Sequence, residues 1–297
     1  MDITFRQLQY FVALVDHRSF SAAAEACGMT QPNMSHQVKL LESYLGFDLI
    51  ERQRKHFLVT EGGQEVYTRA RQMLTLRQEM VDFAQAKGKP LSGALRMGVI
   101  PTIGPYLLPS VIAAVRRAHP ELHLQLVEAK TPDLLHQLAE GALDLGFLAL
   151  PVDGTEGMRS EIVGTEPFLV ALPEEHKLLK KSALTVEDIL SERLLLLTDG
   201  HCLRDHALEV CHRVGKVPDN IDFSATSLET LKQMVAQGAG ITLLPACAAK
   251  RAEEEGYAIR PIKGSTVMRE LGLIWRASSL RRPEFELLAK TFSGAIA

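Results

Sequence analysis

Cys202 and Cys211 are the residues with the clearest capacity for chemistry. A thiol reacts as a nucleophile in its thiolate form, so a reactive cysteine needs a lowered pKa and access to solvent. Cys202 follows His201 and lies two residues before Arg204, and it precedes a predicted helix whose N-terminal dipole favours an anion. Cys211 lies nine residues further on. The alternative is that both thiols are buried structural residues, the commonest role of a free cysteine.

The remaining cysteines do not suggest a site. Cys27 lies on the alanine-rich face of a predicted helix, and Cys247 has no basic neighbour before Lys250, so both are predicted to be structural. Four cysteines are too few for a disulfide scaffold in a chain of 297 residues. Neither Cys-x-x-Cys nor His-Glu-x-x-His spacing occurs, so no metal site and no cofactor are expected.

The segments that must position Cys202 alternate between strands and helices. Strands are predicted at 94–100, 122–127, 143–150, 168–172, 194–197, 241–244 and 271–275. Helices are predicted at 106–118, 134–141, 203–214, 227–237 and 283–292. This βαβ alternation predicts an α/β domain with a largely parallel sheet. A region of roughly 200 residues is large enough to form two lobes with a cleft between them.

Composition and charge are those of an ordinary globular protein of about two domains. The chain is 46% hydrophobic and 23% charged, and none of its purely apolar runs, such as Leu194–Leu197, approaches the roughly 18 residues of a membrane span. The N-terminus lacks a basic region followed by an apolar core, so no secretory signal is expected and a cytoplasmic location is predicted. The net charge is −3, and residues 1–60 carry six basic and six acidic side chains. Charge alone therefore does not indicate nucleic-acid binding.

Residues 1–60 nevertheless show two helices joined by a tight turn. Ser19–Gly28 has the cap, the helix-forming alanines and the glycine stop of a short helix. In the next helix Met34, Val38, Leu41 and Leu45 step by four, three and four residues and predict its buried face. The exposed side of that helix carries Gln31, Asn33, Ser35, Gln37 and Lys39, with Pro32 in the first turn. Such side chains can contact bases or phosphates, which predicts a helix-turn-helix; the alternative is a solvated helix pair in a bundle.

A wing and a long helix are predicted next. Phe47–Ile50 and Phe57–Thr60 read as two short strands that flank a basic tip. The predicted phosphate contacts at this tip are Arg52, Arg54 and Lys55. One helix follows from Glu61 to about Lys87, and its apolar positions lie near a heptad repeat at Val66, Ala70, Met73, Met80 and Ala84. This seam indicates dimerisation, although packing within its own domain would give the same spacing.

The N-terminal sixty residues resemble those of the LysR-type transcriptional regulators. The matching segments are Arg6–Phe11, Ser19–Ala24, Thr30–Pro32, Val38–Glu42, Leu45–Gly46, Leu49–Arg52 and Leu58–Gly63. The resemblance implies a winged helix-turn-helix at 1–60, a dimerising linker helix at 61–88 and a two-lobed, periplasmic-binding-protein-like effector domain at 89–297. Lobe I would comprise about 93–164 and 268–297, and lobe II about 165–267. Asn33 is a departure, because the family more often has Ser at that position.

The effector region resembles the OxyR-type, peroxide-sensing branch of that family. The matching segments are Ile100–Pro109, Asp199–Asp205, Cys211, Ala225–Thr230 and Gly240–Pro245. This resemblance implies that hydrogen peroxide oxidises Cys202 and that Cys211 then forms a disulfide with it. It also implies a peroxide pocket built from Thr102, Thr131, His201, Arg204, Asp205 and Arg269. Donors in such a pocket would stabilise the leaving oxygen of the peroxide.

The implied disulfide is incompatible with an intact helix at 203–214. Nine helical residues separate two positions by about 13.5 Å along the axis and place them on opposite faces. A disulfide requires Cα atoms within about 7 Å of each other. Oxidation is therefore expected to remodel the helix and to act as a conformational switch.

These observations predict a peroxide-responsive transcription activator that is not an enzyme. One alternative is a LysR-type regulator whose cleft binds a small metabolite, with incidental cysteines. Another is a thiol peroxidase with an accessory helical domain, which would have no need of a helix-turn-helix and wing. The expected partners are double-stranded DNA, RNA polymerase and further copies of the chain, as a dimer of dimers, and no membrane. Because residues 1–60 have no net charge, DNA binding should depend only modestly on salt.

Overall fold

The computed structural model describes residues 2–51, 57–85, 90–200, 203–204, 224–263 and 268–296. The chain divides into two compact units, residues 1–87 with 139–142, and residues 88–138 with 143–297. Two predicted features, the tip of the wing and all but the first two residues of the helix at 203–214, lie outside the described residues.

The first unit is helical with one small hairpin. Its elements are α1 (Phe5–His17), α2 (Phe20–Ala26), α3 (Gln31–Leu45), β1 (Ile50–Glu51), β2 (Leu58–Val59) and α4 (Glu61–Gln85). Ser19 caps α2, since its side chain accepts the backbone N–H of Ala22. Gly46 ends α3 in the left-handed conformation, with φ 82°. The strands β1 and β2 pair antiparallel, so the predicted helix-turn-helix and the base of the wing are present.

The helices of the first unit share one core. Met34, Val38 and Leu41 are buried, as their spacing predicts, whereas Leu45 is only half buried. The other fully buried contributors include Phe11, Leu14, Ala23 and Leu49. The apolar face of α3 is therefore held against the unit while its polar face remains available.

The second unit is an α/β domain. Its strands are β3 (Gly93–Val99), β4 (Leu122–Glu128), β5 (Leu145–Leu150), β6 (Met158–Pro173), β7 (Leu196–Leu197), β8 (Ser224–Ala225), β9 (Thr242–Pro245), β10 (Tyr257–Pro261) and β11 (Met268–Arg276). Its helices are α5 (Gly104–Ala118), α6 (Thr131–Ala139), α7 (Val186–Leu190), α8 (Leu228–Ala236) and α9 (Arg282–Ile296). Single 3-10 turns occupy Lys177–Lys180 and Ala246–Ala249.

The main sheet is mixed, so the prediction of a largely parallel sheet is wrong. Its order is β10-β6-β11-β5-β3-β4, and β9 also pairs with β6. The β3 strand is parallel to β4 and β5, but β11 runs antiparallel to both β5 and β6. The β11 strand comes from near the end of the chain and inserts between two earlier strands. Local alternation of helices and strands does not encode such an insertion.

The long strand β6 connects the two parts of this curled sheet. Its first part, through Pro167, pairs with β11, and its second part, from Phe168, pairs with β9 and β10. The sequence predicted only 168–172 of this strand and did not predict β10. The result is the predicted two-lobed α/β architecture, with Glu166 and Arg269 paired across the strands where the sheet passes from one part to the other.

Candidate functional site

The polar face of α3 is the candidate DNA-contacting surface. Gln31, Pro32, Asn33 and Lys39 are exposed, whereas Ser35 and Gln37 are half buried. The first turns of α3 therefore present amide groups to solvent on the second helix of a helix-turn-helix, which is the geometry that reads a major groove. The predicted phosphate contacts Arg52, Arg54 and Lys55 lie outside the described residues.

The base of the wing is fixed to α3 and α4 by polar contacts. Glu42, near the end of α3, accepts the backbone N–H of Leu49 at 3.0 Å. Thr60 Oγ1 donates to the carbonyl oxygen of Asp48 at 2.8 Å and accepts the N–H of Gly63 at 2.9 Å. A Cβ atom at Gly63 would overlap the Leu49 carbonyl, so this close approach requires glycine. The base of the wing, α3 and the start of α4 are therefore held together.

The helix α4 exposes large apolar side chains. Met73, Leu76 and Met80 are 52%, 47% and 57% exposed. A groove of about 320 Å³ lies beside Met73 in the first unit. Its walls include Ile3, Phe5, Leu8, Leu41, Val66 and Met73. Contiguous exposed apolar surface of this kind marks an interaction site.

In the second unit, Thr102 and Thr131 occupy equivalent positions after two neighbouring parallel strands. The last residues of β3 and β4, Val99 and Glu128, are paired, and each threonine follows its strand by three residues. Both threonines are buried. The hydroxyl of Thr131 has no hydrogen-bond partner among the residues that the structure describes. Because an unpaired buried hydroxyl is unfavourable, this strand end is suited to a small polar ligand.

Arg269 is the centre of a buried polar cluster that includes Thr102. Its Nη1 donates to Thr102 Oγ1 at 3.0 Å and its Nη2 donates to the Thr102 carbonyl oxygen at 2.9 Å. On the other edge of the guanidinium, Nε donates to Glu166 Oε1 at 2.8 Å. Glu166 Oε2 accepts the backbone N–H of Cys247 at 2.8 Å. The structure thus brings together two of the predicted pocket residues, Thr102 and Arg269.

Lys130 links the start of α6, where Thr131 lies, to the turn before the candidate reactive cysteine. Its Nζ donates to the carbonyl oxygen of Asp199 at 2.9 Å and to Thr198 Oγ1 at 3.4 Å. Gly200, with φ 85°, lies against the side chain of the same lysine. Residues 198–200 are therefore anchored to the residue that precedes Thr131.

Arg204 holds the same turn from its other end. Its Nε pairs with Asp199 Oδ1 at 2.9 Å, and its Nη1 donates to the carbonyl oxygen of Leu197 at 3.0 Å. The remaining predicted site residues, His201, Cys202, Asp205 and Cys211, lie outside the described residues. The contacts of Lys130 and Arg204 therefore anchor the residues on both sides of 201–202, which themselves lie outside the described residues.

Cys247 and Cys27 agree with the structural role predicted for them. Cys247 is 7% exposed, and burial, reinforced by the Glu166 carboxylate, raises the pKa of its thiol to about 12. Burial also raises the pKa of the Cys27 thiol, and the backbone N–H of Cys27 donates to carbonyl oxygens at the C-terminal end of α2. Neither cysteine has the lowered pKa that peroxide chemistry requires.

A second polar cluster joins α5 to α8. The Tyr106 hydroxyl donates to Glu229 Oε1 at 2.6 Å, and the buried Lys232 donates to Glu229 at 2.9 Å and to Glu255 at 3.0 Å. Burial and the bond to Glu229 raise the pKa of Tyr106. Burial by itself would raise the pKa of Glu229, but the hydrogen bonds from Tyr106 and Lys232 outweigh burial, so the net effect is a lowered pKa. The pair therefore holds the two helices together as a charge-assisted contact.

Sequence reasoning missed Glu166, Lys130 and the Tyr106 cluster. No motif surrounds Glu166, and only the register that pairs it with Arg269 reveals its role. Lys130 stands beside the predicted Thr131, but its partners lie about 70 residues away. Within the described ranges no group of His, Cys, Asp or Glu converges as a metal site, and no helix is long and apolar enough to cross a membrane.

Comparison with protein families matches both units. Residues 5–64 match the bacterial regulatory helix-turn-helix protein of the lysR family, and residues 88–295 match the LysR substrate binding domain. Among curated proteins, the DNA-binding transcriptional dual regulator OxyR of Escherichia coli K12 is 40% identical over 289 residues, covering 97% of this chain and 94% of that protein. The hydrogen peroxide-inducible genes activator of Pectobacterium carotovorum is 40% identical over 290 residues, covering 97% and 95%.

Solved structures of similar proteins also match this chain over almost its whole length. Full-length OxyR from Pseudomonas aeruginosa, with a cysteine-to-aspartate substitution, matches with a TM-score of 0.78 at 32% identity over 98% of both chains. A cysteine-to-serine mutant of Corynebacterium glutamicum OxyR with hydrogen peroxide bound matches with a TM-score of 0.69 at 32% identity, covering 100% of this chain and 93% of that one.

Proposed function

Because this chain belongs to the LysR family of bacterial helix-turn-helix regulators, we propose that it is a transcription activator that senses hydrogen peroxide through Cys202. The observation that carries the proposal is the placement of two buried hydroxyls, Thr102 and Thr131, at neighbouring strand ends. Lys130, which directly precedes Thr131, anchors the turn that leads to Cys202. A small, uncharged ligand with hydrogen-bonding oxygens suits such a pocket.

The proposed reaction consumes one peroxide and two thiols. The Cys202 thiolate attacks one peroxide oxygen, the O–O bond breaks, and the departing hydroxide takes a proton to become water. The Cys211 thiolate then attacks the sulfur of the resulting sulfenic acid, forming the disulfide and releasing a second water. Thr102 and Thr131 would contact the peroxide and Arg269 would hold Thr102 in the pocket, while His201 and Arg204 would favour the thiolate and Asp205 would complete the pocket. Closing the disulfide would remodel residues 203–214.

DNA binding would use the exposed face of α3 and the wing. Gln31, Asn33, Ser35 and Gln37 are the proposed base-reading residues, and Pro32 sets the start of the helix. Lys39, Arg52, Arg54 and Lys55 are the proposed phosphate contacts. This role places the protein in the cytoplasm with its operator and with RNA polymerase, where it would act as a regulator and not as a turnover enzyme.

We further propose that α4 and the apolar groove beside it form a dimer interface with a second copy, and that two dimers associate. The exposed Met73, Leu76 and Met80 require cover that the described part of the first unit does not supply. Changing Met73 and Leu76 together to Asp should produce monomers in sedimentation velocity. Gln64→Asp combined with Gln72→Asp, which adds the same two charges at exposed positions of α4, should leave the oligomer unchanged. If the test variant and the control variant both dissociate, or if neither does, the proposed interface is contradicted.

The domain limits proposed from the sequence are retained: 1–60, 61–88 and 89–297. Within the effector domain, lobe I would comprise about 93–164 and 268–297, and lobe II about 165–267. The passage of β6 from β11 to β9 at Pro167–Phe168 supports a division close to residue 165.

Thiol counting with peptide mass spectrometry tests the redox function. After stoichiometric peroxide, the wild-type chain should lose two thiols and yield a peptide that links residues 202 and 211. Cys202→Ser should lose none, whereas Cys247→Ser, which removes a buried thiol of raised pKa, should still lose two. A chain that keeps all four thiols would be a LysR-type regulator of the alternative kind, which responds to a small metabolite.

A further inference from the structure

Glu166 is a buried carboxylate that has no role in the peroxide reaction as proposed above. It is 7% exposed and lies in β6 directly opposite Arg269 of β11. Its Oε1 accepts Arg269 Nε at 2.8 Å and lies 2.7 Å from Nη2. Its Oε2 accepts the backbone N–H of Cys247 at 2.8 Å. Because each carboxylate oxygen is bound to a different element, the carboxylate has a fixed orientation.

The fixed carboxylate determines where the guanidinium of Arg269 points. This side chain is fully buried, and a planar guanidinium donates along fixed directions. With Nε and Nη2 directed at Glu166, Nη1 is directed at Thr102 Oγ1, which it reaches at 3.0 Å. A buried guanidinium is tolerated only with such a partner, since an unpaired buried charge is strongly unfavourable.

The bond from Arg269 in turn determines the role of the Thr102 hydroxyl. A guanidinium has no acceptor, so Thr102 Oγ1 must be the acceptor of this bond. The hydroxyl proton of Thr102 is then free for a different acceptor, and no described residue accepts it. The chain of bonds therefore leaves the Thr102 hydroxyl able to donate its own proton, at the strand end that it shares with Thr131.

We propose that Glu166 is a positioning residue for peroxide reduction: it holds Arg269 so that Thr102 donates its proton to the peroxide oxygen that leaves. The inference rests on the proposed peroxide-sensing function. Negative charge develops on the leaving oxygen as the O–O bond breaks, and an oriented donor stabilises that charge. The Cys202 sulfur gains the other oxygen, and the leaving oxygen departs as hydroxide and becomes water.

This role predicts an effect that is specific to peroxide. Alkylation of Cys202 by iodoacetamide also requires the thiolate, but it expels iodide and gains nothing from a donor aimed at a leaving oxygen. Glu166→Gln in the full-length chain should lower the rate constant for peroxide oxidation of Cys202 by about 10- to 100-fold. The iodoacetamide rate should change by less than about twofold, since the thiolate itself is untouched.

The matched control is Glu161→Gln, which removes the same charge from a more exposed position of the same strand and should leave both rates unchanged. A double-mutant cycle adds Thr102→Val. If Glu166 acts through Thr102, Glu166→Gln should slow the Thr102→Val protein no further. Trp275 fluorescence in urea reports whether each variant is folded. If Glu166→Gln does not fold, Glu166→Asp retains the charge, shortens the tether, and should slow peroxide alone.

The outcomes separate this proposal from the function on which it rests. A wild-type chain whose Cys202 is not oxidised by peroxide would refute the proposed function. A wild-type chain that reacts, with Glu166→Gln reacting equally fast, would refute only the positioning role. Equal decreases of the peroxide and iodoacetamide rates would also overturn it. So would a peroxide rate that Glu166→Gln lowers by the same factor in the Thr102→Val protein as in the wild type.

Discussion

The same substitution, threonine to valine, should change stability in opposite directions at Thr102 and Thr131. Valine keeps the shape and the branching of threonine and replaces the hydroxyl by a methyl group. Thr131 Oγ1 is buried and has no partner among the described residues, so its replacement removes a polar group that is buried without compensation. Thr102 Oγ1 accepts a bond from Arg269 at 3.0 Å, so its replacement leaves a buried guanidinium N–H unpaired.

The size of each effect follows from the cost of an unpaired buried polar group. That cost is about 1–3 kcal/mol, which predicts that Thr131→Val raises the free energy of unfolding by about 1 kcal/mol or more. Thr102→Val should lower it by about 1–3 kcal/mol, since the partner left behind is charged. In a domain of this size each kcal/mol corresponds to about 2–4 °C in Tm.

The assay is urea unfolding of the full-length reduced chain, followed by tryptophan emission. Trp275 is the single tryptophan of the sequence; it is 2% exposed in β11 and packs 5.6 Å from the Phe285 ring, so it reports on the effector domain. Peroxide oxidation of Cys202 is measured in parallel and should be slower in both variants. Stability changes of the same sign, or a destabilised Thr131→Val, would refute the assignment of the Thr131 hydroxyl as the unpaired one.

Three further predictions concern other contacts. Glu42→Met removes the acceptor of the buried Leu49 N–H; the loss of about 1.4 kcal/mol or more should accelerate hydrogen exchange at that amide at least about tenfold, and an unchanged rate would contradict the contact. The Cys247 thiol, whose pKa rises from 9.0 to about 12 on burial, should resist iodoacetamide until the chain unfolds. Its contribution to stability should be complete below about pH 9 and lost as the pH rises toward 12, because the unfolded chain loses the proton first. A difference in the free energy of unfolding between wild type and Cys247→Ala that stays constant over that pH range would contradict this. Tyr106→Phe, which removes the 2.6 Å bond to Glu229, should cost about 1 kcal/mol in the same urea assay, since the carboxylate is half exposed and screened, and no loss would show that the two helices do not depend on it.

The sequence alone determined the elements whose patterns are local. The spacing of Met34, Val38 and Leu41 predicted the buried face of α3, because a helix places residues three and four apart on one side. Ser19 predicted the start of α2, and the basic run between two short apolar segments predicted the wing. The resemblance of residues 6–63 to LysR-type regulators drew on the same local signals, and the family match to residues 5–64 agrees with it.

Only the tertiary structure decided which residues act together in the effector domain. Arg269 meets Glu166 across 103 residues of sequence and Thr102 across 167, and both contacts depend on β11 inserting antiparallel between β5 and β6. A pattern of period two predicts that a strand exists, but not its direction or its neighbours. The sequence therefore named Thr102 and Arg269 by resemblance, whereas the carboxylate that orients them became visible only once the strand register was known.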